Sequence, residues 1–494
     1  MDIALSAFLG EIAQRSISFF IDRLSSKDVS PGLPSDEALR RKLLRVHIVI
    51  EEAEGRQIKN TAMLEQLKLL QVGMYRGYYV LDNFRYRDYQ AQNCKHDHGA
   101  IVSRDSFALS KFNPAKRVQL RGRGSRGHHM IGCEKELQQV IGCLEVSITD
   151  ASEFIMFLKG CPPLYRRPYR TFLVLEKTMF GRHVEMEYLI NFLMASSVEV
   201  LDVLPVVGPM EVGKSTLIEH ACADDRVRAA FSQILFLAED DLDKMISSMR
   251  DDGGSEKHQN HGSGDRDGKI LFIVEVNGDI NEATWSSLYS TFGRYAPNGG
   301  KIVICSPSDN IARFGTSRAL KVEYLSQEAY WYLFRALAFG SKNPDDEPKL
   351  TSMAMEIAAR LTGVFIAGNI TASMLRNNFS VRFWRMVLSS AKEVSERYHF
   401  KFGAQPSANR KLVQILDGSS DYCVVSNEYQ IVSGQDQAPK ITAQEVLSGS
   451  VARRGKFDVV AWRSSIPPHY TYIFSCEIQK TSQLDVGKNE RSAS

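Results

Sequence analysis

The chain has 494 residues, 24% charged and 44% hydrophobic, with 61 Lys and Arg against 58 Asp and Glu for a formal charge of +3. That length predicts roughly three domains, and the composition is that of a globular protein. The charge is too small to argue for nucleic acid as a partner. Eight scattered cysteines form no CxxC pair, which supports neither a zinc ribbon nor a redox motif and fits free thiols in a reducing compartment. No run of about 18 apolar residues predicts a transmembrane helix. The N-terminus lacks the basic start, apolar core and cleavage site of a signal peptide, so a cytoplasmic protein is expected.

Residues 1–92 carry the i, i+3, i+4 spacing of amphipathic helices. Leu5, Leu9 and Ile12, with Phe8 beside them, form a first stripe. Leu39, Leu43, Val46 and Ile50 form a second, and Leu67, Leu70, Met74, Tyr78 and Leu81 a third, with Ser30-Pro31-Gly32-Leu33-Pro34 breaking the first from the second. The stripes predict the core of a small helical bundle; the alternative is that one of them faces a partner. Residues 93–130 read as a basic linker carrying Lys111, Lys116, Arg117, Arg121, Arg123 and Arg126, and its RGRGSRG stretch at 121–127 is expected to be a solvated hinge. Such a segment could touch phosphates or acidic lipid at a membrane periphery, but it has no interleaved aromatics for stacking on bases. Cys94-Lys95-His96-Asp97-His98 reads as a polar loop, since four spaced metal ligands are not evident.

Leu137, Val140, Ile141 and Leu144 mark a helical connector over 131–178, broken by Pro162, Pro163 and Pro168. From Met179 strands and helices alternate, which predicts a parallel α/β layer. Within it, residues 251–268 are polar and Gly-rich, as in a flexible insertion. Residues 319–404 return to helices. From 405 onward short β-like runs occur at Tyr422–Val425 and Phe457–Trp462, residues 457–477 read as a hairpin broken at Ile466-Pro467-Pro468, and the polar end reads as disordered. The fold class expected is thus multidomain: an N-terminal α-helical bundle, an α/β P-loop unit over 179–318 with an appended helical subdomain, and a small β-containing tail.

The strongest signal is VVGPMEVGKSTLIEH. Gly208, Gly213, Lys214 and Ser215 fit GxxxxGK followed by Ser or Thr, with Val203, Leu204, Val206 and Val207 as the strand before and Leu217 and Ile218 in the helix after. The glycines allow a tight turn whose N–H groups face phosphates, and the helix N-terminus adds its positive dipole end. Gly208, Pro209, Val212, Gly213, Lys214, Ser215 and Thr216 are the predicted phosphate-binding segment. Lys214 is expected to reach the β- and γ-phosphates, and Ser215 to ligate Mg²⁺. KILFIVEVNGD at 269–279 is the natural second strand, with Glu275 expected to hold Mg²⁺ through a water. Val276, the next residue, cannot position water, and no general base is visible there.

With these motifs in place the chain resembles the plant NLR-type disease-resistance proteins of the coiled-coil class. MFGRHVEMEYLINFLM (179–194) is similar to the opening of their NB-ARC nucleotide-binding module, and GPMEVGKST (208–216) to its phosphate loop. GGKIVICSPSDNIARFGT (299–316), YWYLFRALAFGS (330–341) and LTGVFIAGN (361–369) are similar to later segments, and 1–92 to the N-terminal four-helix bundle. The resemblance implies that Phe180, Gly181 and Arg182 lie by the adenine of bound ADP or ATP. The departures are specific. The family's paired aspartates read Glu275 and Val276; Pro307 stands at the sensor arginine; Phe365 replaces the proline of the Gly-Leu-Pro-Leu motif; and the acidic motif reads Tyr78-Tyr79-Val80-Leu81-Asp82. A Met-His-Asp motif is not found after residue 400, and no leucine-rich period follows, so a truncated member is expected.

Three readings follow. The first is an ADP- or ATP-binding switch of plant innate immunity that holds nucleotide and hydrolyses it weakly, with other proteins, signalling partners or a second copy, engaged through the N-terminal bundle. The second is an active P-loop ATPase recruiting Arg182, Arg294 or Arg313. The third is an interaction scaffold without nucleotide, which a collapsed loop or one blocked by Met210 would favour.

Overall fold

The computed structural model describes residues 34–100, 125–163, 179–196, 201–210, 212–239, 242, 269–296, 299–363, 365–402, 410–415, 421–433, 438–451, 455–463 and 470–480. The first apolar stripe, most of the basic linker, the Gly-rich insertion at 251–268, the Pro467-Pro468 break and the polar end lie outside these residues. By internal contact the chain forms two compact units, residues 1–166 with 341–356, and residues 167–340 with 357–494.

The first unit contains α1 (Pro34–Glu54), α2 (Thr61–Ala100) and α3 (Ser125–Leu158), each packed on the other two. The predicted stripes are what they bury: Leu39, Leu43, Val46 and Ile50 of α1, Leu67, Leu70, Met74, Tyr78 and Leu81 of α2, and Leu137, Val140, Ile141 and Leu144 of α3. Polar ties close the ends. Arg56 donates to the Cys161 carbonyl at 2.9 Å, and Lys42 pairs with Glu145. Helical backbone enters both ends of the stretch expected as a linker: α2 continues through Ala100 and α3 begins at Ser125. Cys94–His98 is therefore helical backbone and not a polar loop, because α2 propagates past its last apolar position.

Residues 341–356, expected within the helical subdomain, group instead with these N-terminal helices. Arg85 reaches both Asp345 carboxylate oxygens at 3.1 Å and the Tyr86 hydroxyl donates to the same carboxylate. Burial and the nearby charges of Asp82 and Asp345 push the Tyr86 phenol up, so it remains a donor.

The second unit opens with α4 (His183–Met194) and contains a five-stranded parallel sheet of β1 (Leu201–Val207), β2 (Gln233–Ala238), β3 (Ile270–Glu275), β4 (Gly300–Ser306) and β5 (Leu320–Lys321), in the order β2-β3-β4-β1-β5. β1 and β4 are buried at every residue, as the central strands of a two-faced parallel sheet should be, with Asp202 and Lys301 as a charged pair among their apolar residues. Successive side chains point to opposite faces. Leu204 and Val206 thus join Leu189, Leu217 and Ile218 of α4 and α5 (Lys214–Cys222), while Val203 and Val207 join Leu288 and Phe292 of α7 (Glu282–Tyr295). The short α6 (Asp225–Ala230) completes the first layer. Pro205 sits inside β1 without breaking the sheet, because β5 pairs only with Val206 and Val207; below it, Thr316 and Ser317 donate to the Val203 carbonyl instead.

Helices α8 (Gln327–Phe339), α9 (Pro348–Leu361), α10 (Phe365–Asn377) and α11 (Val381–Phe402) follow. The tail forms β6 (Arg410–Gln414), β7 (Asp421–Ser433), α12 (Ala443–Leu447), β8 (Lys456–Arg463) and β9 (Tyr470–Lys480), with antiparallel order β6-β7-β9-β8. The predicted hairpin is β8–β9, with Phe457 opposite Cys476. The short run expected at Tyr422–Val425 is longer than its apolar letters, since β7 extends across Asn427 and Glu428 where β9 supplies ladder partners on both sides of a register shift.

Candidate functional site

The phosphate loop leaves the carboxyl end of β1, the edge at which parallel α/β sheets place their sites. Its shape is imposed by packing. A Cβ on Gly208 would lie 2.0 Å from the Val322 carbonyl oxygen, and Gly213 opens α5 at φ +92°. Helices α6, α7 and α8 begin with a side chain accepting a first-turn amide, from Asp224, Asn281 and Ser326 respectively; Gly213 supplies no such side chain to α5. The first turn of α5 thus keeps donors and a positive dipole end directed at the loop.

Lys214 is 8% exposed, and its ammonium donates to the carbonyls of Gly208 and Pro209, each at 2.8 Å. Burial pulls it below the ordinary lysine range, while Cys305 and Glu275 act the other way. The Ser215 hydroxyl donates to Glu275 Oε1, so the two predicted Mg²⁺ ligands meet at one point. An alcohol and a carboxylate are hard oxygen donors and fit Mg²⁺, which takes few protein ligands and keeps water and phosphate for the rest. Among the described residues no group of three His, Cys, Asp or Glu forms a denser metal site. Met210 is 66% exposed; its carbonyl accepts from the Tyr324 hydroxyl at 2.9 Å.

The segment 179–182 runs alongside. Gly181 has φ +68°, Phe180 stacks on Tyr332 with centroids 5.9 Å apart, and Met179 Cε lies 3.6 Å from where a Gly213 Cβ would stand. Arg182 is buried, donating to the carbonyls of Glu323 and Val212 and pairing with Glu185 at 3.8 Å. It ties the loop to the chain after β5. The structure thus brings together residues 179–182, 208–210, 212–216 and Glu275.

The departures have visible places. Val276 is 3% exposed and packs with Val274 and Ile280, so it presents nothing to a water. Pro307 follows β4 and carries no charge. Arg313 donates to the Ile280 carbonyl at 3.3 Å and lies over Phe314, and Arg294 bonds its own helix at Ser290. Phe365 opens α10 edge-on to Tyr330. Gly363, at φ +89°, passes the Tyr324 ring.

Sequence reasoning missed Glu219. One turn after Ser215, it lines a crevice with Ser215, Ile218, Phe236, Ile273, Glu275 and Cys305. Its signal was only the i+4 spacing on α5. Burial, then the charge of Glu275, pushes its carboxyl from 4.5 up to about 7. Between those values the folded protein holds a proton that the unfolded chain releases, so this group's contribution to stability falls as pH rises through that window. Glu219→Gln is expected to flatten this slope in the nucleotide-free protein. An unchanged dependence of melting temperature on pH would exclude Glu219 as its source.

No protein-family model matches the chain. The curated disease resistance protein RGA2 of Solanum bulbocastanum is 22% identical over 364 residues, 70% of this chain and 35% of that protein. The putative disease resistance RPP13-like protein 1 of Arabidopsis thaliana is 24% identical over 415 residues, 79% of this chain and 37% of its own length. The putative disease resistance protein RGA1 of Solanum bulbocastanum is 22% identical over 363 residues, 70% of this chain and 34% of the other. The chain spans little more than a third of the length of these relatives. A solved structure of C. elegans PCH-2 overlaps 47% of the chain at a TM-score of 0.29 and 15% identity, too low to carry an argument. Among the described residues no helix is long and apolar enough to cross a membrane. Over 70–79% of its length this chain is thus similar to three curated disease resistance proteins.

Proposed function

We propose that the chain binds ADP or ATP with Mg²⁺ at residues 208–216 and acts as a nucleotide-dependent switch in plant defence. The observation that carries the reading is the meeting of Ser215 with Glu275 at the mouth of a GxxxxGKS loop, beside the buried Lys214 ammonium. Lys214 and the first-turn amides of α5 bind phosphate, Ser215 and Glu275 hold the metal, and Phe180, Gly181 and Arg182 border the base. Mg²⁺, when bound, neutralises phosphate charge. Val276 gives no water-positioning group, so hydrolysis is weak at most.

Partner proteins, or a second copy, engage the N-terminal helices. The reading draws on Leu69, Val72, Met156 and Phe157, apolar side chains that stand outside the described core. The direct test is mass spectrometry of the nucleotide released from purified protein. ADP or ATP at near-stoichiometric amounts is expected; protein that retains none, and gains no thermal stability from added ADP–Mg²⁺, would sink the reading.

A further inference from the structure

The described carbonyls of the phosphate loop are held by different groups. Gly208 and Pro209 accept from the Lys214 ammonium at 2.8 Å each. Met210 accepts from the Tyr324 hydroxyl at 2.9 Å, Val212 from Arg182 at 3.4 Å, and Gly213 from the Leu217 amide at 3.0 Å. A phosphate recruits Lys214, so its hold on Gly208 and Pro209 changes with occupancy. The bonds at Met210 and Val212 come from side chains outside the loop and do not depend on Lys214.

Both of those donors converge on one short segment, residues 322–325, between β5 and α8. The Val322 amide donates to the Val207 carbonyl at 2.8 Å, and its own carbonyl oxygen lies 2.0 Å from where a Cβ on Gly208 would stand. Arg182 donates to the Glu323 carbonyl. Leu325 Cδ2 lies 3.0 Å from the Cβ position of Gly181. Tyr324 faces two ways. Its hydroxyl reaches the loop, and its ring atoms lie 3.5–3.9 Å from the Cβ position of Gly363, just before α10. Gly363 has φ +89°, which other residues reach only with strain, so the backbone is fixed where it meets the ring. Tyr324 is 47% exposed and belongs to neither apolar cluster of the parallel sheet. A substitution there leaves those clusters intact.

We propose that Tyr324 is a positioning residue of the nucleotide site: it fixes the Met210 peptide of the phosphate loop and passes the state of the loop to the Gly363 turn and α10. The inference rests on the nucleotide-binding reading above. Linkage makes the coupling reciprocal: bound nucleotide holds the turn against the ring, and a seated turn favours the loop shape that binds nucleotide.

The test uses the full chain with ADP–Mg²⁺ as probe, by isothermal titration calorimetry and amide exchange on wild type and Tyr324→Phe. Phe keeps the ring against Gly363 and removes only the hydroxyl. Loss of a neutral hydrogen bond at a half-exposed group predicts about two- to fivefold weaker ADP binding. In the wild type, saturating ADP should slow amide exchange across 365–377; in Tyr324→Phe, also at saturating ADP, that slowing should be largely lost. Saturation separates lost transmission from weakened binding, and a residue that only supported the fold would change exchange equally with and without ADP. Wild-type affinity in Tyr324→Phe, or a wild type that binds ADP without slowing across 365–377, overturns this inference alone. Equal slowing in the two proteins also overturns it, and would assign the connection to α8, whose Tyr330 hydroxyl crowds Gly368 of α10. Wild-type protein that binds no ADP overturns it together with the reading on which it stands.

Discussion

Lys214→Ala is expected to weaken ADP–Mg²⁺ binding by about ten- to a hundredfold, the worth of a hydrogen bond to a charged group. The ammonium lies between the Gly208 and Pro209 carbonyls, where a bound phosphate would recruit it with little rearrangement. Its burial makes the effect large, because the charge acts where water screens it poorly. The measurement is ligand-induced thermal stabilisation. ADP at about a hundred times the wild-type Kd stabilises by ~2.7 kcal/mol; after a hundredfold loss of affinity the same concentration gives ~0.4 kcal/mol. A variant that keeps the full shift would place the phosphates elsewhere. Gly208→Ala should also weaken binding, since its Cβ would meet the Val322 carbonyl; there the fault is the shape of the loop, and added salt should leave it unchanged.

The largest expected loss of stability comes from a pair remote from the loop. Lys301 of β4 is 1% exposed and stands opposite Asp202 of β1, with Nζ 3.2 Å from the carboxylate. Burial pulls the Lys301 amine down, and the hydrogen bond it donates to Asp202 holds it up. Removing one partner of a buried pair leaves an uncompensated charge, typically at a cost of about 3–5 kcal/mol. The lower end is expected for Asp202→Ala, because the Phe192 ring lies 4.5 Å from the ammonium and offers it a second site of attraction. Replacing both residues, Asp202→Ala with Lys301→Met, should recover most of the loss, since an apolar chain of similar length needs no partner. Urea unfolding of the transition that reports the parallel sheet measures both variants. A single-variant loss below ~1 kcal/mol would mean that solvent reaches Lys301 and that the pair is worth no more than a surface one.

Much of this protein was written in local spacing. The stripes Leu39–Ile50, Leu67–Leu81 and Leu137–Leu144 are buried as their period requires, because a helix can hide apolar groups at that spacing on only one face. GxxxxGKS was legible since strand, loop and helix are contiguous, and Glu275 since a buried strand has to end at the sheet's edge. Other features depended on contacts between distant segments. The continuation of α2 through Cys94–His98 ran against a polar sequence. Asp345 belongs with Arg85 and Tyr86 across some 260 positions, which no period encodes.

The sequence by itself determined the apolar faces, the alternation of strand and helix, and the chemistry of the phosphate loop, all of which follow from neighbours within a few residues. Only the tertiary structure decided what meets that loop. Strand order carried Glu275 to Ser215, and the backbone after β5 closed on Gly208 and received Arg182. Those meetings are set by how apolar faces are buried against one another, and burial is non-directional along the chain: it fixes which side is inside, while the order of packing fixes which polar groups are brought together there.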